Sequence, residues 1–184
     1  ESNGIPAFFL SLFSCINPPI ITTWPSLACI TESVSLIELN ANGEIIENLS
    51  LVFSTSFMDA EIRELAGQAE INGNQPHNVP KTQGNLFVDY NFASLKGLSG
   101  LSANIGVFYV GERQQNLQNS LSLPSYTRVD TGVRYDFSDL NLMLRFKVEN
   151  LFDKDYSIFD PRVWDGAVPG KGRQLVLRYQ YAFN

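Results

Sequence analysis

No run of 18 apolar residues occurs in the chain, which excludes a membrane-spanning helix of about 20 residues. It does not exclude a transmembrane barrel, whose strands need only about 9 to 11 alternating residues. Charge is also scarce: Asp, Glu, Lys and Arg make up 17% of the 184 residues, against roughly 25% in soluble domains. Hydrophobic residues are an ordinary 44% and the mean hydropathy is −0.06, a balance that fits a wall wetted on one side only. Histidine is nearly absent. His77 stands alone, with no cysteine or second histidine at metal-ligand spacing, so no metal and no cofactor is expected. Cys15 and Cys29 carry no motif that settles whether they pair. Neither a Gly-x-Ser-x-Gly, nor a phosphate loop, nor a zinc motif is present, and no enzyme is expected. A net charge of −6 argues against nucleic acid as a partner.

What the chain does have is period-two alternation. Leu140, Leu142, Leu144, Phe146 and Val148 alternate with Asn141, Met143, Arg145, Lys147 and Glu149, giving a strand with one apolar and one mostly charged face. Leu175, Leu177, Tyr179, Tyr181 and Phe183 repeat the pattern, with aromatics gathered toward the end as at a membrane interface. Upstream, Ile37, Leu39 and Ala41 oppose Glu38, Asn40 and Asn42, and a short turn is expected around Gly43. Leu49, Leu51, Phe53, Thr55 and Phe57 follow, and further apolar rows run through 86–92, 101–109 and 129–137. Connections near Gly43, Lys96 and Ser138-Asp139 are short; those over 59–82, 111–125 and 150–172 are long. Such alternation of turns and loops is how outer-membrane barrels are built, with short turns in the periplasm and long loops outside. A register slip of one residue would turn Arg145, Lys147 and Arg178 toward lipid, at about 2–4 kcal/mol each near the midplane. Their first role is therefore to fix register while lining a hydrated lumen or facing whatever fills it.

The end of the chain carries Asn150-Leu151-Phe152-Asp153, Tyr156, then Pro169-Gly170 and Arg173, and a last strand closing on Phe183 before Asn184. This ending resembles the C-terminus of TonB-dependent outer-membrane receptors, in motif order and in spacing together. Asn78-Val79-Pro80, Val110-Gly111-Glu112-Arg113 and Leu123-Pro124-x-Tyr126-x-x-Val129-Asp130 are similar to the siderophore receptors of that family. The resemblance covers about residues 35–183. It implies an all-β fold: a fragment of an antiparallel transmembrane β-barrel, of about seven to eight meander strands, in the outer membrane of a Gram-negative-type bacterium. In the family the whole barrel has about 22 strands around a plugged lumen, imports ferric siderophore and is energised through TonB. The plug domain and the TonB-contact segment are not in this sequence, which reads as a truncated or incomplete receptor. By the same resemblance Asn150, Leu151, Phe152, Asp153, Tyr156, Pro169, Gly170, Arg173 and Phe183 form a structural signature. Tyr156, Phe159, Arg162 and Trp164, aromatic and cationic residues of the last long loop, are candidates for contact with an anionic or catecholate ligand.

Residues 34–184 are thus expected to be the C-terminal part of a receptor barrel, whereas 1–33 is atypical. No Lys or Arg precedes Arg63, the apolar run 7–13 does not alternate, and Pro18, Pro19 and Pro25 argue against a long helix or a central strand. A signal peptide would need a positive start. The break in composition points to a stretch of other origin, from a damaged or misread frame, joined to the barrel. A different reading of the whole is a small autonomous outer-membrane barrel with a structural or adhesive role; a soluble lipocalin-like barrel fits the aromatic-ended last strand poorly.

Overall fold

The computed structural model describes residues 8–22, 30–65, 67–163 and 166–183, with side chains from Ser33 onward. Its strands are β1 (Phe8–Thr22), β2 (Ile30–Ile46), β3 (Leu49–Leu65), β4 (Thr82–Asn91), β5 (Leu101–Val110), β6 (Arg113–Gln114), β7 (Ser122–Leu123), β8 (Tyr126–Phe137), β9 (Leu142–Glu149), β10 (Ser157–Phe159), β11 (Ala167–Pro169) and β12 (Gln174–Tyr181). Eight of them form one sheet in the order β1-β2-β3-β4-β5-β8-β9-β12, every neighbouring pair antiparallel. The pairs β6–β7 and β10–β11 are small hairpins inside two of the long loops. The sheet is all-β and meandering, as the alternation predicts.

Register turns alternation into a wall. Across the sheet, Leu51 faces Val88, which faces Ile105; Val133 faces Phe146, which faces Leu177; Tyr135 faces Leu144, which faces Tyr179. Every member of these rows is apolar or aromatic. One step along, Ser50, Asp89, Asn104, Gly132 and Lys147 form a polar row. Because the side-chain period is two, one face is apolar and the other mostly polar, with Val52 and Phe87 as exposed apolar members of the polar face. Phe57, Ile105, Phe146, Leu175, Leu177 and Tyr179 are exposed large hydrophobics, which only a non-aqueous surround tolerates over so wide a face. The strands β4 and β5 have ten residues each, the length that crosses a bilayer when tilted.

Turns and strand ends differ from expectation in three places. The β2–β3 hairpin turns at Glu47-Asn48, with Ile46 opposite Leu49, and Gly43 sits within β2 opposite Leu51. Asn48 supplies the left-handed conformation at φ 66°, which Asn tolerates better than other non-glycine residues. Asn141 does the same at φ 49° after the short 3₁₀ turn Ser138–Leu140, so the strand expected from Leu140 begins at Leu142. β3 also runs on to Leu65, past the expected start of a loop at Asp59.

Within the atypical leading stretch, Phe8–Thr22 is an edge strand paired with β2. Its pairing breaks between Asn17 and Ile20, where β1 advances three residues and β2 two, from Val34 to Glu32. The extra residue makes a bulge at Pro18-Pro19, which lack amide hydrogens for the ladder; an edge and a bulge are where a sheet accepts proline. The prolines are therefore compatible with a strand, because they fall where its ladder to β2 is interrupted.

Candidate functional site

The three long loops leave the same rim of the sheet and are tied to one another. Residues 67–81 hold a 3₁₀ turn, Ala69–Ile71, whose Ile71 packs with Ile62 and Leu65 of β3 and with Leu117 of the next loop. The Asn74 side-chain amide donates to the Leu117 carbonyl at 2.9 Å. Gln75 and Asn119 exchange two bonds: the Gln75 amide donates to Asn119 Oδ1 and Asn119 Nδ2 donates to the Gln75 carbonyl, both at 2.8 Å. The Asn78 amide donates to the Gln114 carbonyl at 2.7 Å.

Arg113 joins all three loops. Its Nε donates to Asn78 Oδ1 at 3.1 Å, its Nη2 donates to the Ser157 carbonyl at 2.8 Å, and the guanidinium lies 5.6 Å from the centre of the Tyr126 ring. The residue is 4% exposed. Burial pushes the guanidinium below its usual range, opposed in part by Tyr126. A charge this enclosed holds its place through the bonds it makes, and removing those bonds is costly.

The last long loop is built on Asn150. This residue is 1% exposed and left-handed at φ 53°. Its amide donates to Asp130 Oδ1 at 3.0 Å, and its Nδ2 donates to the carbonyls of Lys154 and Lys171 at 3.0 and 3.1 Å. In return the Lys154 amide donates to Asn150 Oδ1 at 2.9 Å. Asp153 closes the base: its Oδ1 accepts the Arg173 amide at 2.7 Å. Leu151 is half-buried and donates its amide to the Val129 carbonyl, whereas the Phe152 ring, 74% exposed, stands outside. Gly170 follows Pro169, which pairs with Ser157. A Cβ added at Gly170 would lie 2.2 Å from the Tyr156 ring, so the ring can lie over this backbone only where the residue is glycine. Tyr156 in turn stacks on Tyr126, centroids 4.4 Å apart. Phe183 is exposed at the chain end, its ring edge-on to Tyr181.

The described candidates for ligand contact, Tyr156, Phe159 and Arg162, each have a separate partner. Tyr156 is stacked at the base of the loop. Phe159 lies at its far end against His77, rings 5.1 Å apart and tilted. Arg162 is held by Asp160 through bonds of 2.9 and 2.8 Å, and this partner pulls the Asp160 carboxyl down to about 2. Trp164 lies outside the described residues. The cavity that Phe159 does line, about 490 Å³, is shared with His77, Asn116, Leu117, Leu121 and Val163. Sequence reading passed over most of these, along with Asn119, and gave Asn78 and Arg113 only as members of receptor-like motifs, with no part in joining loops. The one available signal was the density of Asn and Gln in the loops, Asn74-Gln75, Asn78, Gln114-Gln115-Asn116 and Gln118-Asn119, a composition suited to bonding between loops.

On the polar face just below this rim, Asp130 accepts from Arg128 and lies 3.6 Å from Lys147, which also donates to Glu149 at 2.8 Å. This tier is neutral within itself. Among the described residues no group of three His, Cys, Asp or Glu side chains is placed to hold a metal ion.

A meandering antiparallel sheet with one apolar face, one polar face, short turns at one rim and interlocked long loops at the other defines the wall of an outer-membrane β-barrel. Residues 37–151 match the family described as TonB dependent receptor-like, beta-barrel, and the chain belongs to the TonB-dependent receptors, a family of transporters rather than enzymes. It is 32% identical over 152 residues to the ferrichrome outer membrane transporter/phage receptor of Escherichia coli K12, covering 80% of this chain and 19% of that one. It is 35% identical over 142 residues to the metal-pseudopaline receptor CntO of Pseudomonas aeruginosa, covering 76% of this chain and 19% of that one. Among solved structures, BauA, the ferric preacinetobactin receptor of Acinetobacter baumannii, superposes with a TM-score of 0.76 at 23% identity, over 97% of this chain and 27% of that chain. The siderophore receptor PiuA of the same organism gives 0.72 at 23% identity, over 96% and 26%. These structural likenesses show the fold. The chain spans about a fifth of the length of the curated relatives it matches.

Proposed function

We propose that these residues form the C-terminal part of the barrel of a receptor that imports a ferric siderophore or a related metallophore across the outer membrane, powered through TonB. The observation that supports this most is the combination of barrel wall and loop cap: lipid-facing rows on one side, and on the outer rim three loops locked through Arg113 beside a cavity of about 490 Å³ lined by Phe159, His77 and mixed polar and aliphatic side chains. The names of the relatives, a ferrichrome transporter and a metal-pseudopaline receptor, agree in ligand class and differ in ligand. The ligand of this chain is accordingly proposed as a class, a chelated metal ion with an anionic or aromatic chelator.

The sheet also argues for a larger whole. β1 and β12 end the strand order without pairing to each other, and two bare edges in hydrocarbon leave rows of amide and carbonyl groups at several kcal/mol each. If eight strands did close, side chains would fill the lumen, which is why an autonomous small barrel could have only a structural or adhesive role. The test is to titrate the purified receptor that carries this sequence with ferric hydroxamate, catecholate and carboxylate siderophores and follow intrinsic fluorescence. One class is expected to bind at micromolar levels or tighter, and Phe159→Ala to weaken it; no binding by any class would reject the reading.

A further inference from the structure

The loop cavity of about 490 Å³ is lined, among the described residues, by two rings, His77 and Phe159, by side-chain amides and by aliphatic groups, with no Asp, Glu, Lys or Arg. The cation nearest in sequence is spent elsewhere. Arg162 lies between Pro161 and Val163, which do line the cavity, yet its Nε, Nη2 and amide all donate to the Asp160 carboxylate, at 2.9, 2.8 and 3.0 Å. A second cavity among the same loops, about 480 Å³, sets Asp59, Glu61 and Glu112 against Lys81. An anionic group arriving between the loops therefore meets an excess of carboxylate in one cavity and neither Lys nor Arg in the described lining of the other. Phe159, meanwhile, is held in place by the chain itself. It pairs with Ala167 across the β10–β11 hairpin, and its ring lies so close to the backbone of Gly166 that an added Cβ would come within 2.5 Å of it. Gly166 is left-handed at φ 70°; its amide donates to the Val163 carbonyl and its carbonyl accepts the Asp160 amide, at 2.9 and 2.8 Å. The support of the ring is thus itself tied down.

We propose that this cavity seats an uncharged aromatic group of the metal chelator and selects against an anionic one. The proposal rests on the proposed function for one point, that a metal chelate enters between these loops. Carboxylates and catecholates are recognised by guanidinium or ammonium donors, which the described lining lacks. Setting an anion against Leu117, Leu121 and Val163 would strip its water without supplying a partner. A neutral ring meets no such penalty. It gains apolar contact with the same side chains, and the His77 and Phe159 rings, 5.1 Å apart and inclined at 45°, stand within the spacing of about 4.5–7 Å at which aromatic groups attract. The volume falls within the range of about 300–1,000 Å³ typical of small-molecule sites, ample for a ring and its linker. Arg162, which the sequence offers to an anionic ligand, serves the cavity only by fixing the turn that carries Pro161 and Val163.

The experiment photolabels the purified receptor carrying this sequence with para-azidobenzamide and maps the label by mass spectrometry. Label is expected on peptides that hold His77 or Phe159. Benzamide should compete it away, and benzoate, nearly the same shape with a charge, should need about tenfold more or higher to do so. Phe159→Ala should remove the label, and Leu121→Lys, at an exposed position of the lining, should make benzoate the better competitor. Whichever ferric hydroxamate, catecholate or carboxylate the receptor binds should protect the cavity. Label only outside the cavity, equal competition by benzoate and benzamide, a competition order that ignores Leu121→Lys, or a bound chelate that does not protect would each overturn the proposal. If a ferric chelate binds and the cavity takes no label, only this proposal is wrong. If no chelate of any class binds, the receptor reading falls and the proposal falls with it.

Discussion

Arginine placed at successive positions of β9 should destabilise the barrel according to depth and face. Phe146 lies mid-strand on the apolar face, between Val133 and Leu177. A charge there meets hydrocarbon on one side and aliphatic neighbours on the other, so Phe146→Arg should cost about 2–4 kcal/mol, or roughly 30- to 700-fold in the folding equilibrium. Leu144 is on the same face but two residues nearer the short-turn rim, about 5 Å shallower for a tilted strand, between Tyr135 and Tyr179. Such an aromatic pair marks the interfacial girdle, where arginine reaches headgroups, and Leu144→Arg should cost only about 0–1 kcal/mol. Met143 points the other way, between Asp136 and Gln180. Met143→Arg gains an acidic neighbour and should cost little. The assay is urea-driven folding of the receptor into lipid vesicles, read by heat-modifiable migration, with Phe146→Ala to separate loss of the ring from gain of the charge. Equal damage from Phe146→Arg and Met143→Arg would refute the assignment of faces; equal damage from Phe146→Arg and Leu144→Arg would refute the depth.

Asn150→Ala removes both ends of the loop clasp and places alanine at φ 53°; a loss of about 1–3 kcal/mol from the unmade bonds should appear as faster amide exchange at Lys154 and Arg173. Gly170→Ala forces a methyl into the Tyr156 ring and should cost about 1–3 kcal/mol, with partial recovery in Gly170→Ala, Tyr156→Ala. In the outer loop, Asp160 titrates near 2, below its ordinary 3.8, because Arg162 bonds its carboxylate. A depressed folded value means the pair is fully present above the ordinary carboxylate range and is lost as pH falls through about 2; a carboxyl carbon NMR titration should show this midpoint rising toward 3.8 in Arg162→Gln. Phe183→Ala should lower the amount of receptor in the outer membrane while sparing folding into micelles, and loss of both would point to stability alone.

The faces of the sheet were legible because alternation encodes them directly: Leu142 to Val148 names its apolar row residue by residue, and the partners in β8 and β12 do the same. Turns were less legible. Gly43 drew the expected turn because glycine permits any conformation, yet the hairpin uses Asn48, whose side chain tolerates the left-handed region. The leading stretch was legible only in part: Pro18-Pro19 argue against a regular central strand, and they lie in the bulge of the outermost described strand, but the run 7–13, which does not alternate, gave no sign of that strand. The loop knot was legible only as a density of Asn and Gln in the loops, not as pairings. Its bonds join Gln75 to Asn119 and Asn78 to Arg113, far apart in sequence and mixed between backbone and side chain, and no periodicity records such pairings. Tyr156, Phe159 and Arg162 were grouped by closeness in sequence, whereas Tyr156, just before β10, stacks on Tyr126, Phe159, at the end of β10, lies against His77, and Arg162 bonds Asp160.

The central claim is that these strands act as the wall of a larger TonB-powered importer, and radioactive iron uptake tests it most directly. Cells lacking other receptors for the ferric siderophore identified by binding would produce either the whole receptor carrying this sequence or the 184 residues alone, with and without TonB. Uptake by the whole receptor, lost without TonB, and none by the 184 residues alone is the expected result. Uptake by the 184 residues alone, or uptake by the whole receptor that persists without TonB, would contradict the account.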